Sequence, residues 1–255
     1  MPKVTFLGTG TSQGVPPIGC QSEVCLSTDE HDKRLRSSIF VDYGDTKIVV
    51  DIGPDFRQQM LRLGTRQLDA AIFTHEHKDH TAGLDDIRPF NFMRDEPLNI
   101  YAHPRVQNAL KTQFDYIFNV HDYPGLPRVN LLEIGKDKPF EINGHHIIPI
   151  EVMHHKLPVL GFRFDDFTYI TDANYIDQVE MDKLRGTKVL VLNALRREPH
   201  ISHFTLQEAI DLAQEIGAEQ TYFTHMSHQI GFHKEVNQEL PNGIQLAYDG
   251  LMINT

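Results

Sequence analysis

The chain has 255 residues and a formal net charge of −11. That length supports one large domain with a substantial core. The charge disfavours a long nucleic acid, which normally needs a basic face to displace its counterions. A small anionic substrate is not excluded, because bound metal cations would set the field in a site. No run approaches the roughly 20 apolar residues of a membrane span, and the N-terminus lacks the features of a secretory signal. A cytoplasmic protein with no membrane partner is expected. The two cysteines, Cys20 and Cys25, are read as thiols or metal ligands rather than a disulfide. The unusual number is 15 histidines, many beside Asp and Gly, which raises the prospect of a metalloenzyme.

In chain order, Val4–Leu7, Ser38–Val41 and Lys47–Val50 have the apolar, β-branched character of strands. Pro54 is suited to opening a helix over Asp55–Leu63. The strand Ala70–Phe73 runs directly into a polar cluster, His75 to His80, after which Thr81-Ala82-Gly83-Leu84 looks like a helix start. A strand at Asn99–Tyr101 and a helix at Pro104–Phe114 follow, then strands at His146–Ile150, Thr168–Ile170 and Val189–Leu192. Leu206, Ala209, Ile210, Ala213 and Ile216 recur at helical spacing. Thr205 with Glu208 forms a capping-box signature for that helix, and Gly217 is its stop. A strand at Thr221–Phe223 and a short helix at Phe232–Leu240, ended by Pro241, complete the chain. The chain begins strand-rich, and strands then alternate with helices. An α/β arrangement of two packed mixed sheets with outer helices, an αββα sandwich, fits this order. Periodicity alone equally permits a three-layer α/β fold. No segment reads as a linker, so residues 1–255 are taken as a single domain.

His75, His77, Asp79 and His80 place four strong ligands within six residues at a strand end. They cannot share one face of a regular strand or helix, but on a tight loop they can diverge around two metal ions. A solvated polar loop is the alternative, and the specificity of the H-x-H-x-D-H pattern weighs against it. Three further residues sit just past predicted strands: His154, Asp172 and His225. Each alone is more often structural than functional.

The ordered set resembles the metallo-β-lactamase superfamily over nearly the whole chain. The resemblance implies one metal on His75, His77 and His154, a second on Asp79, His80 and His225, and Asp172 between them. Two divalent ions, Zn²⁺ or Mn²⁺, are the implied cofactors; N/O ligation also permits Fe²⁺. Asp51, in Val50-Asp51-Ile52-Gly53, is expected to support the histidine loop from behind; a plain strand-end turn is its other reading.

Further segments resemble the PhnP-like phosphodiesterase branch. They are Phe6 to Pro16, Gly19-Cys20, Lys33 to Ser38, Gly83 to Asn91 and Thr224 to His228. The glycine-rich opening resembles a phosphate loop, though it serves equally as a turn. The branch implies that His203, just before the Thr205–Ile216 helix, contacts phosphate or donates a proton. His200 competes for that role. Asp79 and His203 are the residues expected to take part in the chemistry directly. Relatives also carry a structural zinc on three cysteines and a histidine. Here Cys20, Cys25 and His228 match but Ser22 stands at the middle cysteine position, so the site is lost, or completed by another residue such as His31, or completed by water. The activity implied is hydrolysis of a small cyclic or nucleotide-like phosphodiester. A tRNA 3′-processing nuclease and a non-catalytic metal- or nucleotide-binding module are the alternatives. A homodimer is the oligomer to expect first.

Overall fold

The computed structural model describes residues 1–119 and 123–255. One sheet is formed by β1 (Lys3–Gly8), β2 (Ser38–Asp42), β3 (Lys47–Val50), β4 (Ala70–Ile72), β5 (Leu98–Ala102) and β6 (Val129–Glu133), in that spatial order. The last strand of the chain, β15 (Met252–Asn254), pairs antiparallel with β1 at its edge. The second sheet contains β7 (Phe140–Ile142), β8 (His145–His154), β9 (Leu157–Phe164), β10 (Phe167–Tyr169), β11 (Tyr175–Ile176), β12 (Val189–Asn193), β13 (Gln220–Thr224) and β14 (Ile244–Leu246). Its main order is β11-β8-β9-β10-β12-β13-β14, with β7 paired to β8. Both sheets are mixed.

The short apolar runs are explained by burial on both faces. In β3, Ile48 and Val50 point between the sheets while Val49 points outward. The inter-sheet core joins Val4, Phe6, Ile39 and Ile72 of the first sheet to Ile147, Phe162, Phe164 and Val191 of the second. Each such fully buried Phe or Ile contributes about 1.5–3 kcal/mol of transfer free energy. The outer face of the first sheet is covered by α2 (Phe56–Leu63), α4 (Arg88–Arg94) and α5 (Pro104–Gln113), through Phe56, Phe90 and Val106. The outer face of the second is covered by α7 (Gln178–Leu184), α8 (Leu206–Ile216) and α9 (His233–Glu239), through Leu184, Ala209 and Val236. The result is the four-layer αββα sandwich. Three shorter helices, α1 (Glu23–Leu26), α3 (Lys78–Thr81) and α6 (Asp115–Asn119), lie in connections.

The capping signature holds in detail. Thr205 Oγ1 accepts from the Glu208 amide, Glu208 accepts from the Thr205 amide, and Gly217 closes α8 in the left-handed region at φ 70°. The segment after His80 differs from the expected helix start at Thr81. The helical turn begins at Lys78, inside the histidine run, with His77 as its N-cap, and a separate 3-10 turn follows at Leu84–Ile87. The chain closes this turn early because Ile52 N–H donates to the His80 carbonyl and Gly83 N–H donates to the Ile52 carbonyl. Among the described residues no helix is long and apolar enough to cross a membrane.

Candidate metal centre

The carboxyl ends of strands from both sheets converge on one cluster. Asp51 follows β3, the His75–His80 run follows β4, His154 ends β8, Asp172 follows β10 and His225 follows β13. Three of these turn sharply out of their strands: Asp51, Asp172 and His225 take φ of 67°, 58° and 56°. Asp and His tolerate this left-handed region better than most side chains, and non-glycine residues held there cluster at functional sites.

All seven expected ligands meet. Potential donor atoms of His75, His77 and His154 lie within 4.8 Å of one another, as do those of Asp79, Asp172 and His225, and those of His75, His80 and Asp172. Asp172 occupies the centre. Its Oδ2 lies 3.2 Å from His80 Nε2 and 3.2 Å from His225 Nδ1, and its Oδ1 lies 3.2 Å from His203 Nε2. Asp51 sits behind the cluster, accepting from His80 Nδ1 at 2.7 Å and from the Thr74 amide at 2.9 Å. That leaves Nε2 as the His80 nitrogen facing the cluster. His154 Nδ1 similarly contacts the Ser202 carbonyl at 3.0 Å, which turns its Nε2 inward.

The donor set fits divalent metal ions. Among the described residues, two buried ring nitrogens, His80 Nε2 and His225 Nδ1, have no hydrogen-bond partner despite the carboxylates beside them. Five imidazoles and two carboxylates form an N/O set suited to borderline cations. The charges agree. Burial opposes ionisation of His80, yet Asp172, Asp79 and Asp51 around it push its pKa well above the ordinary value. Burial opposes ionisation of Asp172 as well, but His225, His80 and His203 hold its carboxyl well below the ordinary range. Burial drives His75 well down and His225 to about 4, so these rings are neutral at neutral pH, as metal ligation requires. A buried group of three carboxylates is one that calls for cationic charge.

His203 is brought to the same place. It is 8% exposed, stacks on His225 at 5.0 Å and meets His154 edge-on at 4.6 Å. His200, the competing residue, touches His203 rather than the cluster, with the two Nδ1 atoms 3.0 Å apart. His155 is exposed, outside the cluster. The glycine-rich opening folds as a turn pinned to distant parts of the chain. Thr9 N–H donates to Asp249, Gly10 N–H to Leu35, Thr11 N–H to Met226 and Val15 N–H to Arg34, so these amides are already engaged.

The cysteine cluster is also assembled. Cys20, Cys25 and His228 place donor atoms within 4.8 Å, and His228 Nδ1 is buried with no partner among the described residues. Both cysteines are free thiols. Ser22 Oγ fills the fourth side, accepting from Cys20 Sγ–H and the Cys25 amide at 3.3 Å each. His31 does not complete the set; it pairs with Asp29 and stacks on His233. Two sulfur donors and one imidazole fit a zinc ion with one ligand short of a closed structural site.

Beyond Asp51, sequence reasoning missed the residues that position the candidate ligands. Thr74 Oγ1 bridges Asp51 Oδ2 and His75 Nδ1, each at 2.9 Å. Asn193 grips the backbone of Ala173 next to Asp172, accepting from its amide at 2.7 Å and donating to its carbonyl at 2.9 Å. Gly53 and Gly83 matter for what they lack: a Cβ on Gly53 would lie 2.0 Å from the Asp79 carbonyl oxygen, and one on Gly83 would lie 2.1 Å from that of Gly53. The only signal in the chain was their placement beside site residues.

The beta-lactamase superfamily domain matches residues 46–226. A crystal structure described as a new diphosphatase from the PhnP family is similar at TM-score 0.93 and 41% identity, covering 100% of this chain and 98% of that one. The octanoyltransferase of Porphyromonas gingivalis is 40% identical over 249 residues, 96% of this chain and 50% of that protein. The ribonuclease Z of Clostridium kluyveri is 29% identical over 171 residues, 64% of this chain and 48% of that protein. The chain thus spans about half the length of these curated relatives. With its four-layer sandwich and its histidine–aspartate cluster at the strand ends, the chain belongs to the metallo-β-lactamase superfamily and resembles the PhnP family.

Proposed function

We propose that the protein hydrolyses a phosphodiester bond in a small cyclic or nucleotide-like phosphate. The observation that carries this reading is His203, a buried imidazole beside the shared Asp172 in a chain similar throughout to a PhnP-family diphosphatase. His75, His77 and His154 would hold one divalent ion, Asp79, His80 and His225 the other, and Asp172 both. When bound, such ions supply Lewis acidity and a nucleophile active at neutral pH. Asp51 and Thr74 keep His80 and His75 in register, and the Ser202 carbonyl does so for His154. As the P–O bond to the leaving group breaks, His203 Nε2 gives its proton to the departing oxygen.

The test is hydrolysis of bis(p-nitrophenyl) phosphate and of a ribose cyclic phosphate by the full chain with Zn²⁺ or Mn²⁺. Turnover of both, lost in Asp79→Ala, is expected. No turnover with any divalent metal overturns the reading. The ribonuclease Z relative favours a second reading, tRNA 3′ processing. The net charge of −11 opposes it, since a tRNA would demand basic surface. Cleavage of a precursor tRNA in preference to the small substrates would establish that second reading. A non-catalytic binding role would leave all of them intact.

The Cys20, Cys25 and His228 cluster is proposed to hold zinc weakly, because Ser22 replaces a thiolate ligand. Metal analysis after brief chelation is expected to find two ions per chain in the wild type and three in Ser22→Cys, one for each proposed complete site. Equal counts in the two proteins would refute this.

A further inference from the structure

His200 lies in the connection between β12 and α8, outside the metal cluster but against His203. That connection is braced on both sides. Arg196 donates to the carbonyls of Glu198 and Pro199, Asn174 donates to the Ile201 carbonyl, and His154 contacts the Ser202 carbonyl. His200 is therefore held in place and not simply solvated.

The hydrogen-bond pattern favours one placement of the ring protons. The Ser202 main-chain N–H, which can only donate, points at His200 Nδ1 from 3.4 Å. His200 Nδ1 is thus an acceptor, and its ring proton resides on Nε2. The 3.0 Å contact between the two Nδ1 atoms is then a bond from His203 Nδ1–H to His200 Nδ1. The Ser202 hydroxyl lies between them, 3.3 Å from one and 3.1 Å from the other, and can rotate to suit either. On this assignment the Nδ1 proton of His203 is engaged by His200, and the proton available to the leaving group is the one on Nε2, the nitrogen 3.2 Å from Asp172 Oδ1.

We infer that His200 is a positioning residue for proton transfer to the leaving group: it fixes the tautomer and ring orientation of His203. The inference rests on the phosphodiesterase reading above. Orientation of a histidine by a hydrogen bond to its other nitrogen is the recurring way such rings are set for acid–base work. A side chain that only braced the loop would affect every substrate alike. One that sets the proton donor matters most where the leaving group needs a proton.

The experiment uses the metal-loaded full chain and aryl phosphodiesters graded from bis(p-nitrophenyl) phosphate, whose leaving group departs without protonation, to diphenyl phosphate. His200→Ala is expected to stay within about threefold of wild type on the first and to lose at least about 10-fold in kcat/KM on the second, a fraction of the 10²–10⁴ general-acid range. His200→Asn, whose side-chain oxygen can accept from His203 Nδ1, is expected to recover to within about threefold on both. Equal losses on the two substrates, no loss on either, or no recovery in His200→Asn would each overturn the inference. Wild-type inactivity on the whole series would instead overturn the parent reading.

Discussion

Asp172→Asn is expected to lower phosphodiester turnover by on the order of 10³-fold or more, beyond the roughly 10- to 100-fold typical when an outer partner of a metal ligand is lost. The reason is its position. One carboxylate faces His80, His225 and His203 at once, and it belongs to three of the donor groups that could hold an ion. Asparagine preserves the size and one carbonyl oxygen but removes the charge shared between the two halves of the cluster. Metal titration read by kcat/KM checks this, with circular dichroism confirming the fold. A variant that recovers more than a tenth of wild-type activity at saturating metal would show that Asp172 is not shared.

His203→Ala is expected to cost about 10²- to 10⁴-fold on an alkyl leaving group, the usual range for a lost general acid, with much less on p-nitrophenyl esters. Its stacked contact with His225 and its 3.2 Å approach to Asp172 place Nε2 at the edge of the cluster, where a leaving oxygen would depart. Comparison of kcat/KM on the two ester types separates the roles. A uniform loss would mean that His203 grips phosphate instead of delivering a proton. Unchanged rates would remove it from the chemistry.

The cluster was more legible in the sequence than the fold around it. Ligands need specific side chains, and the chain brings four of them together in His75, His77, Asp79 and His80, so the pattern survives without coordinates. The helix α8 was legible for a similar reason: its cap, apolar stripe and glycine stop are local. The strand β9 was not. Pro158 and Gly161 interrupt its apolar run, and only pairing with β8 on one side and β10 on the other makes it a strand. Several edge strands, β6, β7, β11, β14 and β15, escaped notice because short segments carry little periodic signal.

The sequence by itself determined the chemistry of the seven candidate ligands, their order along the chain and the serine that breaks the cysteine set. Those are properties of residue type, and residue type does not change on folding. Only the tertiary structure decided which nitrogen of His80 and His154 faces inward, that Thr74 and Asn193 hold the ligand loops, and that His200 bonds to His203 instead of replacing it. It also decided that the glycine-rich opening is a turn pinned to distant segments. Those outcomes depend on hydrogen bonds between segments as far apart as Asp51 and His80, or His154 and Ser202, which no local pattern records.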